Sequence, residues 1–354
     1  MEPMSGRDPW QAAARIGGSL AGPGFHGLTR AAMADTVAGL RKAAARAPEL
    51  VAGVTGLGCP TSVDLIIDRA GIVAANTATC ERLFARAATL DPTLDLDELT
   101  PPATVLGAVL SLLARRILGQ FDPFGEVPRL LLVAPNIAGT ERDLNANPAD
   151  FRLWVCLHEQ THRAQFGAAP WLPDHLIGLV ASLLAAEAKA ETSKEGLPAR
   201  VRRLRDARRG DPASTKTSIG LLAAVSDPAT AATLGAVTAV MSLLEGYADV
   251  MMDAVGPTVI PTVATIRAGF DERRARGGLV SLLGKLIGFD AKLAQYAEGA
   301  AFCRTVLDAA GLAVLNRAFE RADNLPTLEE LRDPPRWLSR IAPPAPEPAG
   351  DPGG

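Results

Sequence analysis

Apolar positions recur at helical spacing along most of the chain, with few stretches suited to strands. The first clear helix runs from Met33 to Arg46, where the pattern stops before Pro48. Ala103–Leu118 reads as a buried helix closed by Gly119, and Leu176–Ala190, Val201–Arg209, Ala229–Ala254, Leu282–Ile287 and Ala291–Phe319 read as further helices. Val51–Val54, Val63–Ile67 and Ile72–Ala75 mix β-branched residues with Gly and Pro punctuation, and suit short strands or helix ends alike. Arg129–Ala134 is bounded by Pro128 and Pro135, too short a run for a helix, so it reads as a strand. As a sheet edge it could pair with an extended peptide. The best-marked helix start is Asn147, a good N-cap, followed by Pro148 at the first helical position and Asp150 in the first turn. That helix should run to about Phe166 and end at Gly167. The pattern predicts a mainly α fold (α+β) with a small sheet or edge strand.

Residues 1–32 are rich in Gly and polar breaks and read as a poorly defined N-terminal segment. Residues 33–340 read as one domain with room for two lobes, and residues 341–354, ending in PPAPEPAGDPGG, as a disordered Pro/Gly-rich tail. Composition sharpens this picture. Of 354 residues, 48% are hydrophobic, ample for a buried core, and only 5% are aromatic, which with abundant Ala favours helix over sheet. A net charge of −3 argues against a nucleic-acid partner. Four cysteines without a C-x-x-C indicate neither a disulfide framework nor a thiolate zinc site. Met1–Trp10 lacks the apolar segment of a secretory signal, and the runs Ala103–Ala114 and Leu176–Ala186 fall short of the ~20 residues of a membrane span. The expectation is a cytoplasmic protein with no membrane partner.

The chemistry is concentrated in Trp154–His162, WVCLHEQTH. On a helix His158 and His162 project from one face a turn apart, a spacing that lets two imidazoles bind one metal ion. Glu159 sits about 100° around the helix, where its carboxylate can reach a metal-activated water without being a ligand. A shuffled chain of this composition would show H-E-x-x-H with a probability of about 0.002. Phe151, Leu153, Trp154, Val155 and Leu157 mark a buried helix, in which two unpartnered histidines would be costly.

A catalytic zinc ion needs a third protein ligand. The extended pattern H-E-x-x-H-x-x-G-x-x-H fails, because Gln165 and Ala168 stand where Gly and His are required. Glu245, in LLEGYAD within an apolar helix, is the stronger candidate, since an ionised carboxylate there needs a partner. Asp249 lies four residues on and could accept a hydrogen bond from the far nitrogen of a liganding histidine. Candidate oxyanion donors are Tyr247, Tyr296 and His175, although Tyr247 lies ~200° around the helix from Glu245 and reads more readily as core.

H-E-x-x-H followed by E-x-x-x-D on a later helix resembles a gluzincin. The wider chain resembles a bacterial zincin-like family of zinc-dependent hydrolases or metalloproteases, some members of which are associated with deazaflavin-coenzyme biosynthesis. The matching stretches are VTGL (Val54–Leu57), GQFDPF (Gly119–Phe124), RLLLVAPNI (Arg129–Ile137), WVCLHEQTHRAQF through PWLPDHL, LLEGYADVMMD, KLAQYAEGAAF (Lys292–Phe302) and NLPTLEEL. They span most of residues 50–340. The resemblance implies a zincin-like metalloprotease fold, Zn2+ held by His158, His162 and Glu245, and Glu159 as general base. The long separation of His162 from Glu245 departs from familiar gluzincin peptidases. The implied activity is a metallopeptidase or amidase acting on a peptide or small amide. The alternatives are a zinc-binding structural or interaction protein that turns nothing over, and a small-amide hydrolase of coenzyme metabolism.

Other patterns carry less. Arg200–Arg209 (RVRRLRDARR) matches a solvated helix face. Gly278–Lys285 (GLVSLLGK) misses a phosphate loop in spacing and in its final residue, and neither G-x-S-x-G nor G-x-G-x-x-G occurs.

Overall fold

A computed structural model describes residues 8–25, 27–192, 226–275 and 289–341, the side chains of 187, 189–192, 271, 273–275 and 289–296 excepted. In chain order the elements are α1 (Pro9–Ala21), α2 (Arg30–Thr55), β1 (Val63–Ile67), α3 (Arg69–Leu90), α4 (Leu96–Leu99), α5 (Ala103–Ala114), β2 (Gly119–Asp122), β3 (Arg129–Val133), α6 (Ala134–Asp143), α7 (Pro148–Ala168) and α8 (Leu172–Thr192). They continue with α9 (Pro228–Val255), α10 (Val263–Ala275), α11 (Phe289–Ala310), α12 (Leu312–Asn316), α13 (Leu328–Arg332) and α14 (Pro334–Ile341). Among the described residues the fold is mainly α with a small three-stranded sheet, as the apolar pattern predicts.

Three expectations need correction. Residues 1–32 are not an undefined segment throughout. Asp8 caps α1 by accepting from the Trp10 N–H at 3.0 Å, and α1 packs on α3 and α5. Its contact with α5 is set by paired glycines, since a Cβ on Gly17 would lie 2.7 Å from the Gly107 carbonyl oxygen. Second, α2 does not stop before Pro48 but continues to Thr55. A proline inside a helix costs ~3 kcal/mol, yet α2 buries Leu40, Ala43, Ala44, Ala47 and Val51 and packs along α7, a burial large enough to offset it. Third, Arg129–Val133 is not an edge. The sheet order is β1-β3-β2, with β1 parallel and β2 antiparallel to β3.

The true edge nearest α7 is β2, which the apolar pattern does not show. Gly119 and Asp122 are poor strand formers, and four residues give no readable alternation. The predicted last helix also divides, because Gly311 takes φ 80° and separates α11 from α12. The helices expected at Val201–Arg209 and Leu282–Ile287, and the tail from residue 342, lie outside the described residues.

Two main hydrophobic clusters form the core. One gathers α2, the sheet, α7 and the start of α10 around Leu40, Leu130, Ile137, Phe151 and Leu157. The other gathers α8, α9, α11 and the C-terminal helices around Leu243, Tyr247, Phe302, Phe319 and Trp337. Leu57 and Phe166 pack against both. By length and composition α9 is apolar enough to cross a membrane, but its buried residues from Thr238 to Met252 pack against α7, α8 and α11 as a core helix does.

Candidate metal centre

The centre lies where α7 meets α9, and each helix is anchored at its start. The Asn147 side chain accepts from the Ala149 and Asp150 N–H groups at 3.0 and 3.1 Å, satisfying donors that an uncapped helix leaves open. The Asp150 carboxylate in turn accepts from the Thr262 N–H and hydroxyl at 3.0 and 2.7 Å, tying the start of α7 to the segment before α10. Asp227 caps α9 in the same way, with Pro228 following at the first helical position.

The spacing of His158 and His162 turns both rings toward α9, with their Nε2 atoms 3.1 Å apart. Glu245 faces them, its Oε2 lying 3.4 Å from His158 Nε2 and 3.9 Å from His162 Nε2. These three residues form a cluster with donor atoms within 4.8 Å of one another. Zinc bonds of 2.0–2.1 Å in tetrahedral geometry put neighbouring donors about 3.3 Å apart, so two imidazoles and a carboxylate at these separations fit such an ion in chemistry and size. His158 keeps 29% of its side chain exposed, so the cluster is open to solvent on one side.

Glu245 is brought this close by small residues behind it. A Cβ on Gly246 would lie 2.1 Å from the Gly299 carbonyl carbon, and one on Gly299 would lie 1.9 Å from the Ser242 carbonyl oxygen. The backbones of α9 and α11 therefore touch directly at this crossing, and neither position has room for a side chain.

Glu159 is buried beside the cluster, and its carboxylate accepts a hydrogen bond from the Phe121 N–H. The sheet register explains that donor. The Val133 N–H bonds the Leu118 carbonyl, so alternate residues Gly119 and Phe121 turn their main-chain groups away from β3, and the Phe121 N–H reaches Glu159 on α7. Gly119 also clears space for the carboxylate, since a Cβ there would lie 2.6 Å from Glu159 Cγ. Burial pushes the Glu159 pKa up to about 7; the His158 charge opposes the rise, the Glu245 charge adds to it and the Phe121 N–H counters it. For His158 burial favours the neutral ring, but the hydrogen bond to Glu245 and the charges of Glu159, Glu245 and Asp249 outweigh it and lift the pKa to about 9. Burial and the neighbouring His158 charge keep His162 below the ordinary imidazole value.

Other candidates fall elsewhere. Asp249 does not accept from a histidine: its carboxylate binds Arg267 at 2.9 Å and Arg304 at 3.2 Å, and both arginines also pair with Asp253. One turn beyond Glu245 this side of α9 is partly exposed, and guanidinium groups from α10 and α11 take the carboxylate. The residue that does bond a ring nitrogen is Gln165, whose Oε1 lies 2.8 Å from His162 Nδ1. Its position three residues after His162, on the same face of a buried stretch, is the signal that could have revealed it. Tyr247 is not an oxyanion donor, because it is wholly buried, packs edge-on against Phe319 and gives its O–H to Asn316 Oδ1 at 2.8 Å. Asn316 donates in turn to the Thr55 carbonyl, so this tyrosine joins α9, α12 and the end of α2. His175 on α8 packs edge-on against Trp171, which immediately precedes that helix, and is not in the cluster. The Tyr296 side chain lies outside the described residues, as does Arg200–Arg209.

Known proteins bear on these observations. A family model for zincin-like metallopeptidases matches residues 9–338. The chain is also similar to a candidate hydrolase with a novel fold from Chloroflexus aurantiacus, known from a crystal structure. The identity is 27%, the TM-score is 0.67, and the match covers 95% of this chain and 99% of that one. No curated protein matches the chain at a significant level.

Proposed function

The chain belongs to the zincin-like metallopeptidase family, and from that premise we propose that it is a zinc-dependent hydrolase of amide bonds, most simply a peptidase, with Glu159 as general base. The observation that carries this reading is the convergence of His158, His162 and Glu245 on an ion-sized space beside a buried carboxylate. Those three residues would hold the metal, which supplies Lewis acidity and lowers the pKa of a water toward ~7. Glu159 takes a proton from the attacking water and delivers it to the leaving amine, a role suited to a carboxyl whose burial has raised its pKa toward neutrality. The Phe121 N–H holds that carboxylate in place from the rim of the sheet.

The outward-facing main chain of β2 supports an extended substrate. The Phe121 N–H is taken by Glu159, but the Gly119 main chain also faces away from β3, so a peptide laid past this end of β2 would run by the cluster. The partly exposed His158 ring favours a working site over a closed structural one. Four free thiols fit a reducing compartment, and we place the protein in the cytoplasm.

Two variants of the full chain test this reading. Glu159→Gln should retain zinc and lose turnover by about 10²–10⁴-fold, measured by cleavage of a peptide library. Glu245→Ala should instead lose zinc. Full activity in Glu159→Gln would remove the assigned base, and stoichiometric zinc in Glu245→Ala would remove Glu245 from the ligand set.

A further inference from the structure

We propose that Gln165 is a positioning residue that locks the His162 tautomer and couples the two halves of the metal site. Its side chain is wholly buried and makes two hydrogen bonds, to His162 Nδ1 at 2.8 Å and to the Leu244 carbonyl oxygen at 2.9 Å. The second bond fixes the first. A main-chain carbonyl can only accept, so the amide must present its NH2 group to Leu244 and therefore its Oε1 to the imidazole. An oxygen facing Nδ1 requires a proton on that nitrogen. In the neutral ring the lone pair then resides on Nε2, which lies 3.1 Å from His158 Nε2 and 3.9 Å from Glu245 Oε2. The ring is thus prepared to donate into the cluster before any metal arrives.

The same amide links two distant stretches of chain. His162 is on α7, while Leu244 immediately precedes Glu245 on α9. A displacement of α9 that carries Glu245 away also withdraws the carbonyl that orients Gln165, so ring tautomer and carboxylate position are set together. A neutral amide does this without adding a third negative charge beside Glu159 and Glu245.

The tautomer lock stands on hydrogen bonding alone, whereas its effect on affinity rests on the zinc reading above. The chain has 4 histidines, so long-range 1H–15N correlation spectra of the metal-free, 15N-labelled full chain resolve each ring. We expect wild-type His162 in the Nδ1–H form, and an Nε2–H form or an even mixture would overturn the proposal. Gln165→Glu keeps an acceptor at Nδ1, although it loses the donor to Leu244, and should keep a proton on Nδ1 in either the neutral or the charged ring; an Nδ1 without its proton would also overturn the proposal. Gln165→Met should lose the bias and bind zinc about 10–100-fold more weakly in chelator competition. A folded Gln165→Met protein with wild-type zinc affinity would overturn the coupling, and if that variant does not fold, the other two spectra decide. A wild type with the expected tautomer that takes up no zinc would refute the zinc reading and leave the lock standing.

Discussion

Replacing Gly246 with alanine asks whether the α9–α11 crossing sets the position of Glu245. The new Cβ would lie 2.1 Å from the Gly299 carbonyl carbon, 2.3 Å from the Ala300 nitrogen and 2.6 Å from the Gly299 oxygen. Comfortable contact between such atoms is about 3.5–4.0 Å, and all three belong to the backbone of another helix, which cannot rotate aside. The helices must therefore part by more than about 1 Å. Overpacking of this kind costs about 1–3 kcal/mol. At this length 1 kcal/mol corresponds to about 1.3 °C, so Tm should fall by ~1–4 °C. Glu245 is the adjacent residue and moves with α9, whereas metal–ligand distances tolerate only about 0.2 Å. Zinc affinity should then fall by tenfold or more, at ~1.4 kcal/mol of lost ligation per decade. Gly178→Ala on α8 is the control, because nothing lies within 4 Å of its new Cβ and the substitution should stabilise by roughly 0.5–1 kcal/mol. Thermal denaturation of the metal-free proteins and zinc titration against a chelator read both quantities. A Gly246→Ala protein with wild-type Tm and wild-type zinc affinity would refute the reasoning.

Two further predictions concern Glu159 and His158. In Gly119→Ala the new Cβ meets Glu159 Cγ at 2.6 Å and the carboxyl carbon at 2.9 Å. Unlike backbone, that side chain can yield by about 1 Å, so turnover should drop roughly 10²-fold with zinc affinity unchanged; wild-type turnover would contradict the placement of the base. His158, lifted to about 9 in the metal-free chain, must release its proton to bind zinc. Apparent affinity should thus rise about tenfold per pH unit up to pH ~9, and a flat profile between pH 6 and 8 would contradict this. Above pH 6.5, where the lowered His162 and His175 no longer oppose them, the metal-free protein should also lose stability as pH rises, since Glu159 and His158 bind protons more tightly folded than unfolded. Glu159 acts between its ordinary 4.5 and about 7, and His158 between 6.5 and about 9. A denaturant midpoint that climbs between pH 6.5 and 9 would show the sign to be wrong.

The α7 motif was legible because every part of it is local. The cap at Asn147, the apolar flanks and the i, i+4 histidines are all set within one helix. Glu245 was legible for another reason, since an acid in an apolar helix demands a partner whatever the tertiary fold. What the chain did not display depends on elements distant in sequence. Asp249 sits at helical spacing from Glu245, but the arginines that capture it come from α10 and α11. Gly119 and Phe121 matter only because β3 leaves their main chain facing α7. In the sequence Gln165 only breaks a longer metal motif, whereas its role depends on a carbonyl 79 positions away. The helix through Pro48 shows the same limit, because local rules end it and burial against α7 continues it.

Crystals of the zinc-loaded protein, with diffraction recorded on either side of the zinc absorption edge, test the central claim most directly. The account predicts one anomalous peak between α7 and α9, about 2.0–2.2 Å from His158 Nε2, His162 Nε2 and a Glu245 carboxylate oxygen. A peak bound by other residues, or none while these three side chains hold their positions, would contradict it.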